Sequence, residues 1–411
     1  MGDIYDVIVI GGGAAGMMAA GRAAELGKHV LILEKNAKLG AKLAISGGGR
    51  CNILNAEADE HRLLAYYGDG GKFLYSSFSK FGMEDAYRFF EAHGLPLKVE
   101  ARKRAFPKSE KAADVVATLK KYMAEGKVEV RLNSPVERVV ASGGRIEHVI
   151  VNGEKLSARS YVLATGGVSH PETGSTGDGF TWLTELGHTV QKPTPTIVPL
   201  RASETWVRKL AGISIADMKL TFFVDGKRAF AERGALLFTH FGLSGPLILN
   251  AAGKVADLLQ AGEVSAGIDT RPDTDLGILD REITATFDAN KNKLLKNVFA
   301  DLAPVGTGAV LLSLIDIDPE KRVHSVTKEE RRKLAELLKA LPVSITGLMG
   351  FDRAVVADGG VPPSEIDTKT FCSQKVDNLF ITGDLLHIRR PSGGYSLQLA
   401  WTSGYVAGSH A

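Results

Sequence analysis

The stretch Asp6–Gly27 constrains this chain more than any other. Val7-Ile8-Val9-Ile10 is a short apolar run, as a parallel strand buried on both faces requires. It enters Gly11-Gly12-Gly13 and then an alanine-rich stretch of good helix formers ending at Leu26-Gly27. Val30–Leu33 is a second apolar strand, closed by Glu34. Strand, glycine turn, helix and strand within about 30 residues make a βαβ unit. In that context Gly11-x-Gly13-x-x-Gly16 is a dinucleotide-binding turn. The first glycine allows the tight turn, the second lets a pyrophosphate approach the backbone, and the third lets helix and strand pack closely. The helix N-terminus, at Ala14 and Ala15, adds its dipole and unpaired N–H groups. Glu34 is placed to accept hydrogen bonds from ribose hydroxyls, and its charge would repel a 2′-phosphate, which argues against NADP in this slot.

Composition narrows the class. Of 411 residues, 44% are hydrophobic and 24% charged, as in a soluble globular protein, and the net charge of +3, close to neutral for this size, argues neither for nor against nucleic acid. Apolar stretches such as Ala309–Ile315 fall far short of the roughly 20 residues that span a bilayer. The start, Met-Gly-Asp-Ile-Tyr-Asp, lacks the basic segment and cleavage site of a leader, so a cytoplasmic location is expected. Cys51 and Cys372 form no Cys-x-x-Cys pair, and the ten histidines are scattered, so neither a dithiol couple nor a metal site is expected.

Further glycine-rich segments favour FAD over NAD. Leu163-Ala164-Thr165-Gly166-Gly167 ends a buried strand in a glycine pair, and Leu379–Asp384 repeats that pattern near the C-terminus, with Gly383 and Asp384 beside a ribityl chain. Ser46-Gly47-Gly48-Gly49 would lie along an isoalloxazine or pyrophosphate, with Arg50 toward the phosphates. Cys51 reads as packed rather than reactive. Pro391–Gln398 leads into a closing helix, Tyr395 to about Ala407, whose N-terminus would face the flavin N1/C2=O edge.

The expected fold class is α/β: a Rossmann-type FAD-binding domain with a parallel sheet, interrupted by an insert. Its parts are 1–193, a β-rich insert at 194–272, a helical insert at 273–346, and a C-terminal return at 347–411. Lys35 to about Gly71 reads as loop-rich, and proline-rich Gln191–Pro199 as a linker. Leu276, Leu279, Ile283 and Phe287 share one helix face. Leu334, Leu337, Leu338 and Leu341 share another, behind a Thr327-x-x-Glu330 capping box.

Four segments resemble the BaiN/aminoacetone-oxidase-like family of FAD-dependent oxidoreductases: Lys38–Asn52, Arg104–Val116, Leu237–Leu249, and Ala354–Val361 with Leu379–Gly408. Gly174–Gly179 is similar to the fumarate-reductase type. The resemblance implies non-covalent FAD held by Gly11, Gly13, Gly16, Glu34, Lys35, Lys42, Ser46, Gly48, Gly49, Val136, Thr165, Gly166, Gly383, Asp384, Gly394, Tyr395, Ser396 and Leu397. It implies an insert with a β-barrel-like part and a helical part. It does not choose a substrate, since members are associated with both amine oxidation and double-bond reduction.

The expected activity is hydride transfer between a small organic substrate and flavin N5, with NAD(P)H as a candidate electron donor. No second Gly-x-Gly-x-x-Gly follows a strand, so a nicotinamide would enter the substrate cleft. That cleft is expected against Phe238–Pro246, with His240, His387 and Arg389 as candidate catalytic residues. Where relatives carry an acidic stretch, this chain has His387-Ile388-Arg389-Arg390, which predicts a preference for anionic substrates. Two alternatives stay open. One is a nucleic-acid modifier or binder using Lys321, Arg322, Lys328, Arg331, Arg332 and Lys333, although a solvated helix face explains those charges. The other is a flavin sensor or electron carrier without turnover.

Overall fold

The computed structural model describes residues 4–411. Met1–Asp3, part of the start read above as leaderless, lie outside the described residues. The chain divides into two compact units, Met1–Pro195 with Val355–Ala411, and Thr196–Ala354.

In the first unit, β1 (Tyr5–Ile10) is the middle strand of a five-stranded parallel sheet. The order is Leu379–Ile381, Ala158–Leu163, β1, β2 (Val30–Leu33) and Glu129–Arg131. Val7–Val9 and Leu31–Ile32 have no exposed surface, which is why these strands read as unbroken apolar runs rather than alternating ones. The register aligns the strand ends. Ile10 lies opposite Leu33 and Leu163, and Leu163 opposite Ile381. The next residues, Gly11, Glu34, Ala164 and Thr382, therefore leave the sheet along one edge, where ligands bind in open α/β sheets.

Helix α1 (Ala14–Glu25) packs against the C-terminal helix Tyr395–His410 through small residues. A Cβ on Gly404 would stand 2.4 Å from the Ala15 carbonyl oxygen, and one on Gly408 2.3 Å from that of Ala19. These contacts advance together, so the two helices run in the same direction.

Three readings change. The stretch from Lys35 to Gly71 contains the helices Ala41–Ile45 and Glu60–Ala65, and the helix Gly70–Phe78 begins at its end. Their signals are short: Asp59 caps the second helix by accepting from the Arg62 N–H at 3.1 Å, and buried Leu63, Leu74 and Phe78 supply the packing. Gln191–Thr196 is a strand paired with Val356–Gly360 rather than a free linker. A two-stranded ribbon has open edges on which Pro193 and Pro195 can sit. Leu341 begins a strand, Leu341–Leu348, because the preceding helix ends at Lys339 and Pro342 disfavours helical backbone at Leu341.

In the second unit that strand closes a barrel. Its order is Leu200–Ala202, Gly242–Ser244, Lys227–Thr239, Ser214–Val224, Val264–Asp269, Leu341–Leu348. The helices between Leu276 and Lys339 are an excursion between the last two barrel strands. Leu279, Ile283 and Phe287 face inward as their spacing predicts, while Leu276, in the first turn, is 38% exposed. Thr327 and Glu330 form the capping box.

Candidate functional site

The site is built at the C-terminal edge of the parallel sheet. Gly11 has φ +105°, and a Cβ there would stand 2.5 Å from the Ala164 carbonyl oxygen. Any other residue would strain the turn and push the Ala164–Thr165 strand end away. Gly13 precedes α1 with no side-chain cap, and a Cβ on it would meet nothing within 4 Å. Open space beside Gly13 and a helix start without a side-chain cap suit an anion.

Glu34 is buried, and both its oxygens are engaged. Oε2 accepts from the Gly12 N–H and Oε1 from the Asn36 N–H, each at 2.8 Å. A carboxylate has about four acceptor positions, so capacity for ribose hydroxyls remains. Lys35 is taken up elsewhere: it donates to Thr176 and pairs with Asp178 at 2.7 Å, tying the end of β2 to the Gly174–Gly179 segment. Val136, half-buried, starts a strand two residues after Ser134, whose N–H donates to the Glu34 carbonyl at 2.9 Å.

Asp384 is the electrostatic centre. Lys42 reaches its Oδ2 at 2.9 Å, and Arg390 donates to its Oδ1. Burial alone would raise this carboxyl, but the two cations outweigh it and hold it at about 2. Arg390 also donates to the Ile388 carbonyl at 2.5 Å and to Ser396 Oγ at 3.1 Å, and its side chain is buried. Of the two arginines in the stretch read as favouring anionic substrates, Arg390 is thereby taken up as an internal strut, because three acceptors surround it. Arg389 differs, with a side chain 67% exposed and Nε 3.8 Å from Asp358. His387 is pushed below its ordinary pKa by burial, against the opposing pull of Asp358, which favours the neutral ring. Its Nδ1 is buried without a partner among the described residues.

The Ser46–Gly49 turn exposes all three glycines, beside Ile45 at 47% exposure, and Cβ atoms on Gly48 or Gly49 would meet nothing within 4 Å. An exposed isoleucine beside three exposed glycines is a platform for an apolar plane. Arg50 lies elsewhere. It pairs with Glu100 at 2.5 Å and Glu110 at 3.1 Å over the Phe106 ring, so these acids compete for the charge expected to meet phosphates. Cys51 is fully buried, and burial pushes its thiol up to about 12, which leaves no thiolate at neutral pH. His240 belongs to the other unit, exposed and packed edge-on against Phe241.

Gly394 precedes the C-terminal helix at φ +103° without a side-chain cap, and a Cβ there would stand 2.3 Å from the Leu54 backbone. The Ala15–Gly404 contact puts this second uncapped N-terminus eight residues beyond that of α1, about 12 Å along a shared direction. Sequence reasoning missed three supports. Ser403 Oγ accepts from the Gly383 N–H at 3.0 Å, and Tyr67 donates to the Tyr395 carbonyl at 2.8 Å. Asn55 donates to the Gly393 carbonyl at 3.3 Å. All are long-range contacts with no local signature.

These features define a Rossmann-type α/β protein carrying an insert. The chain belongs to the family described as HI0933-like protein Rossmann domain, whose model matches residues 5–410. It is similar to a 3-dehydro-bile acid delta(4,6)-reductase of Clostridium scindens, 29% identical over 407 residues, covering 98% of both chains. It is equally similar to a ribosomal RNA dihydrouridine synthase of Escherichia coli, 29% identical over 407 residues, covering 98% of this chain and 96% of that protein. A flavocytochrome c3 fumarate reductase in its open conformation shares the fold, with TM-score 0.55 and 17% identity over 99% of this chain and 78% of that one.

Proposed function

We propose that this protein is an FAD-dependent oxidoreductase that reduces an electron-poor carbon–carbon double bond in an organic substrate. The observation that carries the reading is the pair of uncapped helix N-termini, about 12 Å apart along one direction, flanking the aligned strand ends. An extended dinucleotide has its pyrophosphate and its ring system at opposite ends of a ribityl chain, and each end meets one N-terminus. In this reading Glu34 holds the adenosine ribose, Gly11–Gly16 with Ala14 and Ala15 hold the pyrophosphate, and Gly383 and Asp384 hold the ribityl chain. Ser46–Gly49 and Gly394–Leu397 line the ring. Bound FAD supplies a hydride donor and acceptor at N5.

The chain's own contribution is placement and charge. The Lys42–Asp384–Arg390 cluster carries net positive charge, and with the Gly394 helix N-terminus it favours negative charge nearby. His387 and Arg389, both in the unit that carries the glycine turn, are the proposed substrate-side residues, Arg389 offering exposed donors. The direction of reaction draws on the relatives: delta(4,6)-reductase and dihydrouridine synthase both name hydrogen added across a double bond. NAD(P)H is the proposed source of electrons.

The test begins with purified protein, which should be yellow and release intact FAD on acid denaturation. Under argon, NADPH or NADH should bleach the band near 450 nm, and an α,β-unsaturated ketone should restore it. A colourless protein that takes up no FAD would sink the proposal. Reoxidation by oxygen alone, with no alkene acceptor effective, would remove the reductase part.

A further inference from the structure

The five-stranded sheet of the first unit ends on Glu129–Arg131, a strand with a neighbour on one side only among the described residues. It runs parallel to β2, with Val130 opposite Ile32 and Arg131 opposite Leu33. The Arg131 carbonyl accepts from the Glu34 N–H at 2.9 Å, so the backbone groups of Arg131 and, two residues back, of Glu129 point toward β2. Alternation turns the N–H and C=O of Val130 to the open side, together with those of Val128 and Leu132. Two of these outward groups are already used. The Val128 N–H donates to the Met123 carbonyl at 3.0 Å, and the Leu132 carbonyl accepts from Ser134 Oγ at 3.0 Å. Side chains alternate as well. Val128, Val130 and Leu132 share one face, with Val130 40% and Leu132 38% exposed. Glu129 and Arg131 share the other face, 2.9 Å apart. Tyr5 donates to Glu129 at 2.8 Å and accepts from Arg131 at 3.1 Å, which holds both charges in place.

We propose that this edge is the interface of a two-fold homodimer, in which the strand pairs antiparallel with its own copy about Val130. An edge strand is a template for another strand, and charges on it normally discourage pairing. Here the charges are self-complementary. In this register Glu129 stands against Arg131 of the partner subunit, and the reverse, as a close cross-strand pair. Val130 exchanges both backbone bonds with Val130 of the partner subunit. The Leu132 N–H donates to the carbonyl of Val128 of the partner subunit, in both directions. These four main-chain bonds use the outward groups that Met123 and Ser134 leave open. On the other face the exposed valine–leucine stripe meets its own copy. A slip of two residues either way would set Glu129 or Arg131 against itself, so the charges fix the register. A two-fold contact needs one self-complementary patch, and this edge supplies it.

The test is sedimentation velocity of the full chain as purified, at concentrations up to about 100 µM. The wild type should sediment as a dimer. Val130→Pro removes an outward N–H and leaves the bonds to β2 in place, so it should be monomeric with an unchanged far-UV circular dichroism spectrum. Glu129→Arg sets arginine against Arg131 of the partner subunit and should weaken dimerisation about tenfold or more. Adding Arg131→Glu to that variant restores opposite charges across the two-fold and should restore the dimer. Damage to the fold would not be repaired in this way, so the rescue reports on the register itself. Three results would overturn the proposal: a wild type that stays monomeric at the highest concentration, a dimer that Val130→Pro leaves intact, or a double charge variant that associates no better than Glu129→Arg alone.

Discussion

Glu34 shows what one residue contributes. It accepts two backbone N–H groups while keeping acceptor capacity, so its carboxylate both shapes the glycine turn and faces the cofactor edge. Glu34→Gln turns an NH2 toward one of those donors, and the expected loss in FAD affinity is about 1.5–3 kcal/mol. Titrating apo-protein with FAD measures it, and an unchanged Kd would exclude Glu34 as a ribose contact. Asp384 makes a second residue-scale prediction. Its pKa is lowered from the ordinary carboxylate value to about 2 on folding, so its contribution to stability is present above about pH 4 and is lost as pH falls toward 2. That contribution is on the order of 2 kcal/mol. Urea midpoints of the flavin-free protein should fall over this window and do so less steeply in Asp384→Asn; parallel pH profiles would refute the assignment. Neither cation on Asp384 was visible as its partner in the sequence. Arg389 and Arg390 are neighbours of identical type, and only packing separates an exposed side chain from a buried strut.

Among elements, the most legible were those whose signals are local. The Thr327–Glu330 capping box forms because donor and acceptor lie within one helical turn. The β1–α1–β2 unit follows from apolar runs and glycine spacing in the same way. Ala41–Ile45 and Glu60–Ala65 were missed because helices that short depend on tertiary packing rather than propensity. Leu341 was misassigned because its apolar period ran on past Lys339, where Pro342 overrules it. The C-terminal helix was foreseen, but not its seating on α1, which uses Gly404 and Gly408 for a contact too close for any Cβ. Gly394→Ala adds a left-handed strain to a clash with the Leu54 backbone. Thermal unfolding should show a loss of about 1–3 kcal/mol, together with weakened FAD retention. Unchanged stability would mean that the turn relaxes freely.

At the scale of the whole molecule there are two hydrophobic cores, one in each compact unit. Thr196–Ala354 is continuous in sequence, closes its own barrel and has its own core. Expressed alone, it should fold and melt cooperatively, followed by far-UV circular dichroism. A broad transition without cooperativity would show that the barrel depends on the remainder of the chain. The sequence by itself determined the Rossmann class, the glycine turn, Glu34 at the end of β2 and the return of the chain to the same sheet. Each of these is written in contiguous residues, through hydrophobic period, backbone freedom and capping chemistry. The tertiary structure alone decided that four strand ends share one level, that Arg390 rather than Arg389 is buried against Asp384, and that Leu341–Leu348 closes the barrel. The physical reason is separation along the chain. A hydrogen bond or ion pair between residues 342 positions apart, as between Lys42 and Asp384, leaves no periodic trace in either segment, because only the folded sheet brings the two together.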